Sequence, residues 1–444
     1  MTAGVHTSKE AGAYIDSLQK SIVAYCDNEQ QENQKCWHYR GENLRPAIEK
    51  KLYFQLIDNQ NLRSHFLQNG SISIKEHLAS KATRGMSLRH VTRSIRSSIK
   101  TKVSIVSQSK IVALCTSEKH KAYCQQATQS ENIEMSLYSE IVLTHESSAI
   151  PIKSQASQVL FKQHYDLLVY FEILHAHLNS MLYQTVVFIE GNTPQDYIGS
   201  IVAKSLKKKT VCLQFGWAFT VHLSFQNLNY DIFLAWGKPF SSILKDFSPN
   251  QIFADVGHPT LKKVASSGVN GTISFICQAP FRWIGIDTFN TFIETSILMA
   301  KLEWNVLIRE HPSWPLDEEI KSQLIKQNNI QFIDNSKVSL QEQLANSTFA
   351  VTVFSSVGFE SIITKTIPIF TLFDMDIDLK PGFTPSLNRL RFRSQKEFLQ
   401  AFEEFKNHPN KIDDLKHDLS ELSETLFPAT GENARKNICA FIND

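Results

Sequence analysis

Asn305-Val306-Leu307-Ile308-Arg309-Glu310-His311-Pro312, followed by Ser313-Trp314-Pro315-Leu316-Asp317-Glu318, decides how this chain of 444 residues is read. A short β-rich run enters a polar turn, and Ser313 with Pro315 and two acids behind it predicts a helix with an N-cap serine and a proline in its first turn. Strand, polar turn and helix start form the repeating unit of a parallel sheet covered by helices. Working outward, the unit recurs at Phe349-Ala350-Val351-Thr352-Val353-Phe354, which runs into Ser355-Ser356-Val357-Gly358-Phe359-Glu360-Ser361. Strands are also expected at Thr272–Ile276, Ile330–Ile333 and Ile367–Leu372.

An earlier series of the same texture has strands at Ile111–Cys115, Thr185–Ile189, Thr210–Leu213, Ile232–Ala235 and Phe253–Val256, with helices over Ser154–Ser180 and Gln195–Lys208. Between the series lies Val264-Ala265-Ser266-Ser267-Gly268-Val269-Asn270-Gly271, small and Gly-bearing like a linker. Two doubly wound α/β sheets facing a cleft follow, with ligands expected beyond the carboxyl ends of the strands. The expected units are 103–263 and 272–444, preceded by a helical, partly basic appendage over 1–102. A chain of this length exceeds what one hydrophobic core usually serves.

Composition narrows the function. A hydrophobic content of 42% with 20% charged residues is that of an ordinary globular protein, not a disordered one. A net charge of +2 is too mild to announce nucleic-acid binding, so no nucleic-acid partner is expected. The cysteines number 7, lie scattered and form no C-x-x-C pair, which reads as free thiols in a reducing compartment. Without an apolar run long enough to span a bilayer, and without a signal pattern after Met1, the expected location is the cytoplasm.

At the two decisive turns, Arg309 and His311 can donate to phosphate oxygens beside a helix start, and Ser355 and Ser356 offer hydroxyls at a second. Glu360, about one turn further, can accept ribose or base hydrogen bonds. The plainer readings are a satisfied His-Pro turn, and helix capping by the serines with Glu360 favourable near the dipole.

Taken together, Arg309-Glu310-His311-Pro312 and Ser355-Ser356-Val357-Gly358-Phe359-Glu360 resemble the His-Pro and Ser-Ser motifs of a superfamily of GT-B enzymes. It contains bacterial polysialyltransferases, capsule and lipopolysaccharide transferases of 3-deoxy-manno-octulosonic acid (Kdo), and teichoic-acid glycerophosphotransferases. The resemblance runs from about Lys110 to the end. It implies a GT-B fold, a CMP- or CDP-activated donor, no required metal or other cofactor, and donor phosphates held by His311, Ser355 and Ser356, with Pro312 also at the donor site.

Val187-Phe188-Ile189-Glu190-Gly191-Asn192 is similar to the acidic-glycine motif that supplies the catalytic carboxylate in the sialyl and Kdo enzymes, so Glu190 inherits that role. Asp196 and Asp231 stand in reserve. Val211-Cys212-Leu213-Gln214-Phe215-Gly216-Trp217 resembles the superfamily's Gln-His-Gly-Trp turn, but Phe215 takes the place of the His. That departure argues against a glycerophosphotransferase using it as a base. Gln214, Gly216, Lys238 in Ala235-Trp236-Gly237-Lys238, and His258 in Val256-Gly257-His258-Pro259 complete the donor-binding candidates; His258 also fits a plain turn.

The implied function is transfer of a sugar, Kdo or sialic-acid-like, from a nucleotide sugar to a glycan or glycolipid acceptor of the bacterial surface. Rival readings are a CDP-polyol phosphotransferase, a UDP-sugar 2-epimerase, and a non-catalytic nucleotide-binding module. The alternating acids of Asp374-Met375-Asp376-Ile377-Asp378 suit Mg or Mn, yet a solvated loop after a strand reads better. Zinc spacing, a G-x-S-x-G elbow and a phosphate-binding G-x-x-x-x-G-K-[ST] loop are absent from the sequence. Finally, Lys81 to Lys102 holds seven Lys or Arg and no acid, with Leu88, Val91, Ile95 and Ile99 at helical spacing. That stretch reads either as a helix packed on the protein or as a peripheral contact with the anionic inner membrane face.

Overall fold

The computed structural model describes residues 8–58, 63, 66, 109–128, 133–145, 157–217, 221–262, 271–278, 284–312, 314–375 and 388–443. The basic stretch Lys81–Lys102 lies outside them, as do Asp376, Asp378 and residues 264–270 of the expected linker.

The N-terminal segment holds α1 (Ser8–Glu32), the short hairpin β1 (His38–Tyr39) and β2 (Glu42–Asn43), and α2 (Arg45–Asp58). The first sheet unit follows as β3 (Ile111–Cys115), α3 (Glu118–Thr128), β4 (Ile133–Leu137), α4 (Tyr138–His145), α5 (Gln158–Gln163), α6 (Tyr165–Ser180), β5 (Thr185–Ile189), α7 (Pro194–Ser205), β6 (Lys209–Leu213), β7 (Ile232–Ala235), α8 (Lys238–Phe247) and β8 (Phe253–Asp255). The second contains β9 (Thr272–Ile276), α9 (Ile286–Lys301), β10 (Asn305–Arg309), α10 (Glu318–Ile325), β11 (Ile330–Phe332), α11 (Leu340–Ala345), β12 (Phe349–Thr352), α12 (Val357–Glu360), β13 (Ile367–Thr371) and β14 (Arg391–Phe392). Three helices close the chain: α13 (Gln395–Asn407), α14 (Asn410–Leu426) and α15 (Glu432–Asn443).

Among the described residues each sheet has six strands, ordered β4-β3-β5-β6-β7-β8 and β11-β10-β9-β12-β13-β14. Every pairing within them is parallel. Two Rossmann-like sheets flanking a cleft, with a helical N-terminal region, make the GT-B architecture. Buried on both faces, the central strands read as unbroken apolar runs such as Thr185-Val186-Val187-Phe188-Ile189.

Several expectations shift. The helix expected over Ser154–Ser180 is two, broken at His164, whose φ of −131° leaves the helical region. The helix expected to open at Ser313 starts at Glu318, with Asp317 at its N-cap. The edge strands β4 and β14 were not foreseen: Ile133-Glu134-Met135-Ser136-Leu137 alternates with polar residues, and β14 is only two residues long.

The termini tie the molecule together. The N-terminal helices are docked on the first unit: Tyr39 donates to Glu172 at 2.6 Å, Lys51 pairs with Asp166, and Lys50 donates to the carbonyls of Ser224 and Gln226. At the other end, α15 returns to the first sheet, where Ile438 and Ile442 join a core with Val187, Val211 and Leu234. By its contacts this helix belongs with the first sheet, although it falls inside 272–444. The crossing is snug. A Cβ on Gly237 would run into the Leu426 carbonyl, and one on Gly257, at φ +90°, into that of Ala429.

Lys50 is 1% exposed, and burial lowers its ammonium to about 7. Its unfolded value lies near 10.5, so between those limits the unfolded chain binds more protons and folding stability rises with pH. Urea unfolding of the wild type and Lys50→Met from pH 7 to 10 is expected to show this rise in the wild type and a smaller one in the variant. Equal slopes would mean that Lys50 keeps its proton, and an ordinary ammonium, in the folded state.

Candidate active site

In a doubly wound sheet the crevice opens where strand order reverses, because neighbouring connections there leave toward opposite faces. The first sheet reverses between β3 and β5, the second between β9 and β12. At the first switch point, β5 ends in Glu190 and β3 runs into the turn that opens α3 with His120.

Glu190 has a left-handed φ of +69°, a conformation that costs a non-glycine residue about 1 to 3 kcal/mol. Its N–H is held by the Leu213 carbonyl at 2.8 Å. Gly191, also at +69°, sits 2.6 Å from Cys212 Sγ and 2.9 Å from Tyr230 Oη, measured from where a Cβ would stand, so no side chain fits. The bend aims the Glu190 carboxylate between two groups. Its Oε2 lies 3.5 Å from His120 Nε2, and its Oε1 lies 3.6 Å from the Cβ position of Gly216. Thr116 Oγ1 is 2.8 Å from His120 Nδ1.

Phe215 packs on His120 with ring centroids 4.6 Å apart and on Tyr123 at 5.0 Å. The imidazole beside the carboxylate thus comes from α3 and not from the β6 turn. Gln214 is buried and braces that turn: its Oε1 accepts from Trp236 N–H at 2.9 Å and its amide donates to the Gly216 carbonyl at 3.3 Å.

At the second switch point, Gln278 follows β9 and its Oε1 accepts from Thr352 Oγ1 at 2.9 Å and from Phe354 N–H at 2.8 Å. This fixes the turn into Ser355 and Ser356. Ser355 Oγ accepts from Val357 N–H at 3.3 Å, while Ser356 Oγ donates to Glu360 at 2.9 Å. Burial raises the Glu360 carboxyl above its usual range, opposed by the Ser356 hydrogen bond. After the neighbouring β10, the His311 ring packs tilted against Trp314 with centroids 4.7 Å apart, and Pro312 is exposed. Burial first, and then the charge of Lys119, hold the His311 imidazole below its ordinary value.

The charge of Lys119 on α3 acts on His311, and that of Glu360 acts on Tyr123 one turn later. Phe240 of α8 meets Phe359 of α12 at 6.1 Å. Glu190, Gly216, His311, Ser355, Ser356 and Glu360 therefore lie at the carboxyl edges of the two sheets.

Other sequence candidates go elsewhere. Asp231 precedes β7 and binds Thr210 N–H at 2.8 Å at the amino edge of the sheet, the end opposite Glu190. Asp196 is fully buried; it forms a capping box with Thr193 and accepts from Tyr138 Oη at 3.0 Å, and burial pushes its carboxyl up to about 6. Arg309 donates to the Val338 carbonyl at 3.1 Å and to Gln343 at 3.0 Å, bracing α11. It makes no pair with Glu310, which binds Lys321 at 3.2 Å. His258 packs against Trp236 at 4.4 Å, 3% exposed and lowered by burial to about 3, and hydrogen bonds Ala429 and Gly431 through its backbone. Lys238 opens α8 beyond β7 and is exposed.

Thr116, Lys119, His120, Tyr123 and Gln278 escaped the sequence reading. The signal was there, since Thr116-Ser117-Glu118-Lys119-His120 is also a strand running into a polar helix start. Among the described residues, no three His, Cys, Asp or Glu side chains are grouped to hold a metal ion, and no helix is long and apolar enough to cross a membrane.

No known protein family matches this chain, and no curated protein does. Solved structures share its layout. Staphylococcus aureus MnaA, in a co-structure with UDP, is 12% identical over 76% of this chain and 97% of that one, with a TM-score of 0.48. The Neisseria meningitidis UDP-GlcNAc 2-epimerase bound to UDP-GlcNAc is 10% identical over 75% and 99%, at 0.46. The lipopolysaccharide outer core galactosyltransferase WaaB is 12% identical over 75% and 100%, at 0.44. At such identities the similarity concerns the fold alone.

The geometry gives Asp196 and Asp231 structural work. Asp196→Ala is expected to cost about 1 to 3 kcal/mol by removing a cap and stranding the Tyr138 hydroxyl. Asp231→Ala, at an exposed position, is expected to cost less. Urea denaturation supplies both figures, and calorimetric titration with CMP and UDP is expected to find nucleotide affinity unchanged in each.

Proposed function

We propose that the protein is an enzyme acting on a nucleotide sugar held in this cleft, and that it transfers the sugar to a glycan or glycolipid acceptor. The observation that carries this reading is the pair of switch points: a carboxylate on a left-handed residue at one, and imidazole and hydroxyl groups at the other, with the charge of Lys119 acting on that imidazole. In this reading His311, Lys119 and the Ser355-Ser356 turn stabilise the charge that develops on the departing nucleotide. Ser355 already accepts a hydrogen bond, which leaves its proton to offer a phosphate oxygen. Glu190 takes the proton of the acceptor hydroxyl or, if configuration is retained, attacks the anomeric carbon. Trp314, 38% exposed against His311, offers a flat face for a base or sugar ring.

Sequence resemblance favours a CMP-linked donor carrying Kdo or a sialic-acid-like sugar, used in surface polysaccharide synthesis at the inner face of the membrane. A UDP-sugar 2-epimerase is the second reading, because it uses the same cleft, and the meningococcal neighbour is an epimerase bound to UDP-GlcNAc.

Thermal shift with CMP, CDP, UDP and GDP tests the donor. A nucleotide at about 100 times its dissociation constant is expected to add roughly 2.7 kcal/mol, with the cytidine nucleotides ahead. A larger effect from UDP, together with an epimer formed from UDP-GlcNAc without any acceptor, would replace transfer by epimerisation.

The two sides of the cleft should separate by mutation. His311→Ala and Ser355→Ala are each expected to remove roughly 2 to 4 kcal/mol of transition-state stabilisation while the fold survives. Glu190→Gln is expected to abolish turnover and leave nucleotide affinity within a few-fold of the wild type. Full activity in Glu190→Gln would take the chemistry away from this carboxylate.

A further inference from the structure

His120 stands out among the groups the proposed reaction does not yet use. It is 7% exposed and sits in the first turn of α3, where the loops after β3, β5 and β6 come together. A histidine there as mere core filling would present its nitrogens to local backbone. Instead both address side chains from the switch point: Nδ1 faces the Thr116 hydroxyl at 2.8 Å, and Nε2 faces Glu190 Oε2 at 3.5 Å. Phe215 covers one side of the ring, so the imidazole cannot swing away from the carboxylate without losing that contact.

We propose that His120 is a positioning residue for Glu190: the Thr116 hydroxyl donates to Nδ1, the proton therefore resides on Nε2, and that N–H holds the carboxylate ionised and aimed at the cleft. The inference rests on the reading of Glu190 as the reacting carboxylate. Its chemistry is that of an imidazole oriented by one partner and directed at another, with Thr116 fixing the tautomer. No proton leaves His120 in this role. Glu190 alone exchanges one with the acceptor.

Other charges surround the pair. On its own helix are Glu118, Lys119 and Lys121. From α7, Asp196 senses the His120 charge, and from β6, Cys212 senses that of Glu190, its thiol pushed up by burial. From the second sheet, His311 stands near Lys119 and Glu360 near Tyr123. The test must therefore isolate Glu190 from this background.

Imidazole titration by NMR does so without any substrate. The His120 resonance is assigned by its loss in His120→Gln, then followed with pH in the wild type, Glu190→Gln and Asp196→Asn. Removing the neighbouring carboxylate is expected to lower the His120 midpoint by about one pH unit, more than Asp196→Asn does. Thr116→Val is expected to shift the neutral ring away from the Nε2–H tautomer. An unchanged midpoint in Glu190→Gln overturns the proposal, as does an unchanged tautomer in Thr116→Val.

Turnover adds a second arm, with CMP-Kdo, CMP-sialic acid and UDP-GlcNAc as probes and nucleotide release or epimer formation as readout. His120→Ala is expected to lower kcat at least tenfold with KM for the nucleotide sugar little changed, and to move the acid limb of the pH profile upward. His120→Gln, which keeps a donor near Nε2, is expected to recover part of the loss. An acid limb that stays in place in His120→Ala overturns the positioning role. If Glu190→Gln stays active, it is the reading of Glu190 that falls, while the NMR coupling is decided on its own data.

Discussion

Parallel pairing with one reversal of strand order is the constraint on which the rest depends. It sends every strand's carboxyl end to the same edge and forces the connections on either side of the reversal to opposite faces, leaving a crevice the backbone cannot fill. In the first sheet the reversal puts the turn after β3 beside the turn after β5, which is why Thr116, His120 and Glu190 meet across about 70 residues of chain. In the second it puts Gln278 beside Ser355, linked through Thr352 and Phe354. Moving either reversal by one strand would disperse these groups.

The two crevices become one site only if the sheets are held face to face. That work falls to the chain ends. Helix α14 leaves the second sheet, the backbone passes so close to Gly237 and Gly257 that no side chain fits, and α15 packs on the first sheet. The N-terminal helices reinforce the first unit through Lys50, Lys51 and Tyr39, with Lys50 carried inside at an electrostatic cost because two backbone carbonyls need a donor there. Helix α3 then lines the edge of the first sheet: His120 addresses Glu190, and Tyr123 donates to the Gln214 carbonyl and packs on Phe215.

Polar residues at strand ends thus divide by which end they occupy. Glu190 and Asp231 are both acids flanking strands of one sheet, yet the first lies at the carboxyl edge and the second at the amino edge, closing a hydrogen bond to Thr210. His311 and His258 are both His-Pro turns. The first stands half-buried at the mouth of the cleft, and the second is sealed under Trp236 and Phe427.

Sequence alone determined the two series of strands and the turns at Glu190, His311 and Ser355, because periodicity, β-branched runs and polar strand ends are local properties written into consecutive residues. It could not rank Asp196 and Asp231 against Glu190, nor find His120 and Gln278. Those distinctions depend on which strand lies beside which, and on burial, which two residues far apart in the chain settle only by packing. The tertiary structure decided them: one acid became a buried cap, one a brace at the wrong edge, and one a strained carboxylate facing an imidazole, since strand order and not chain order sets which side chains share a crevice.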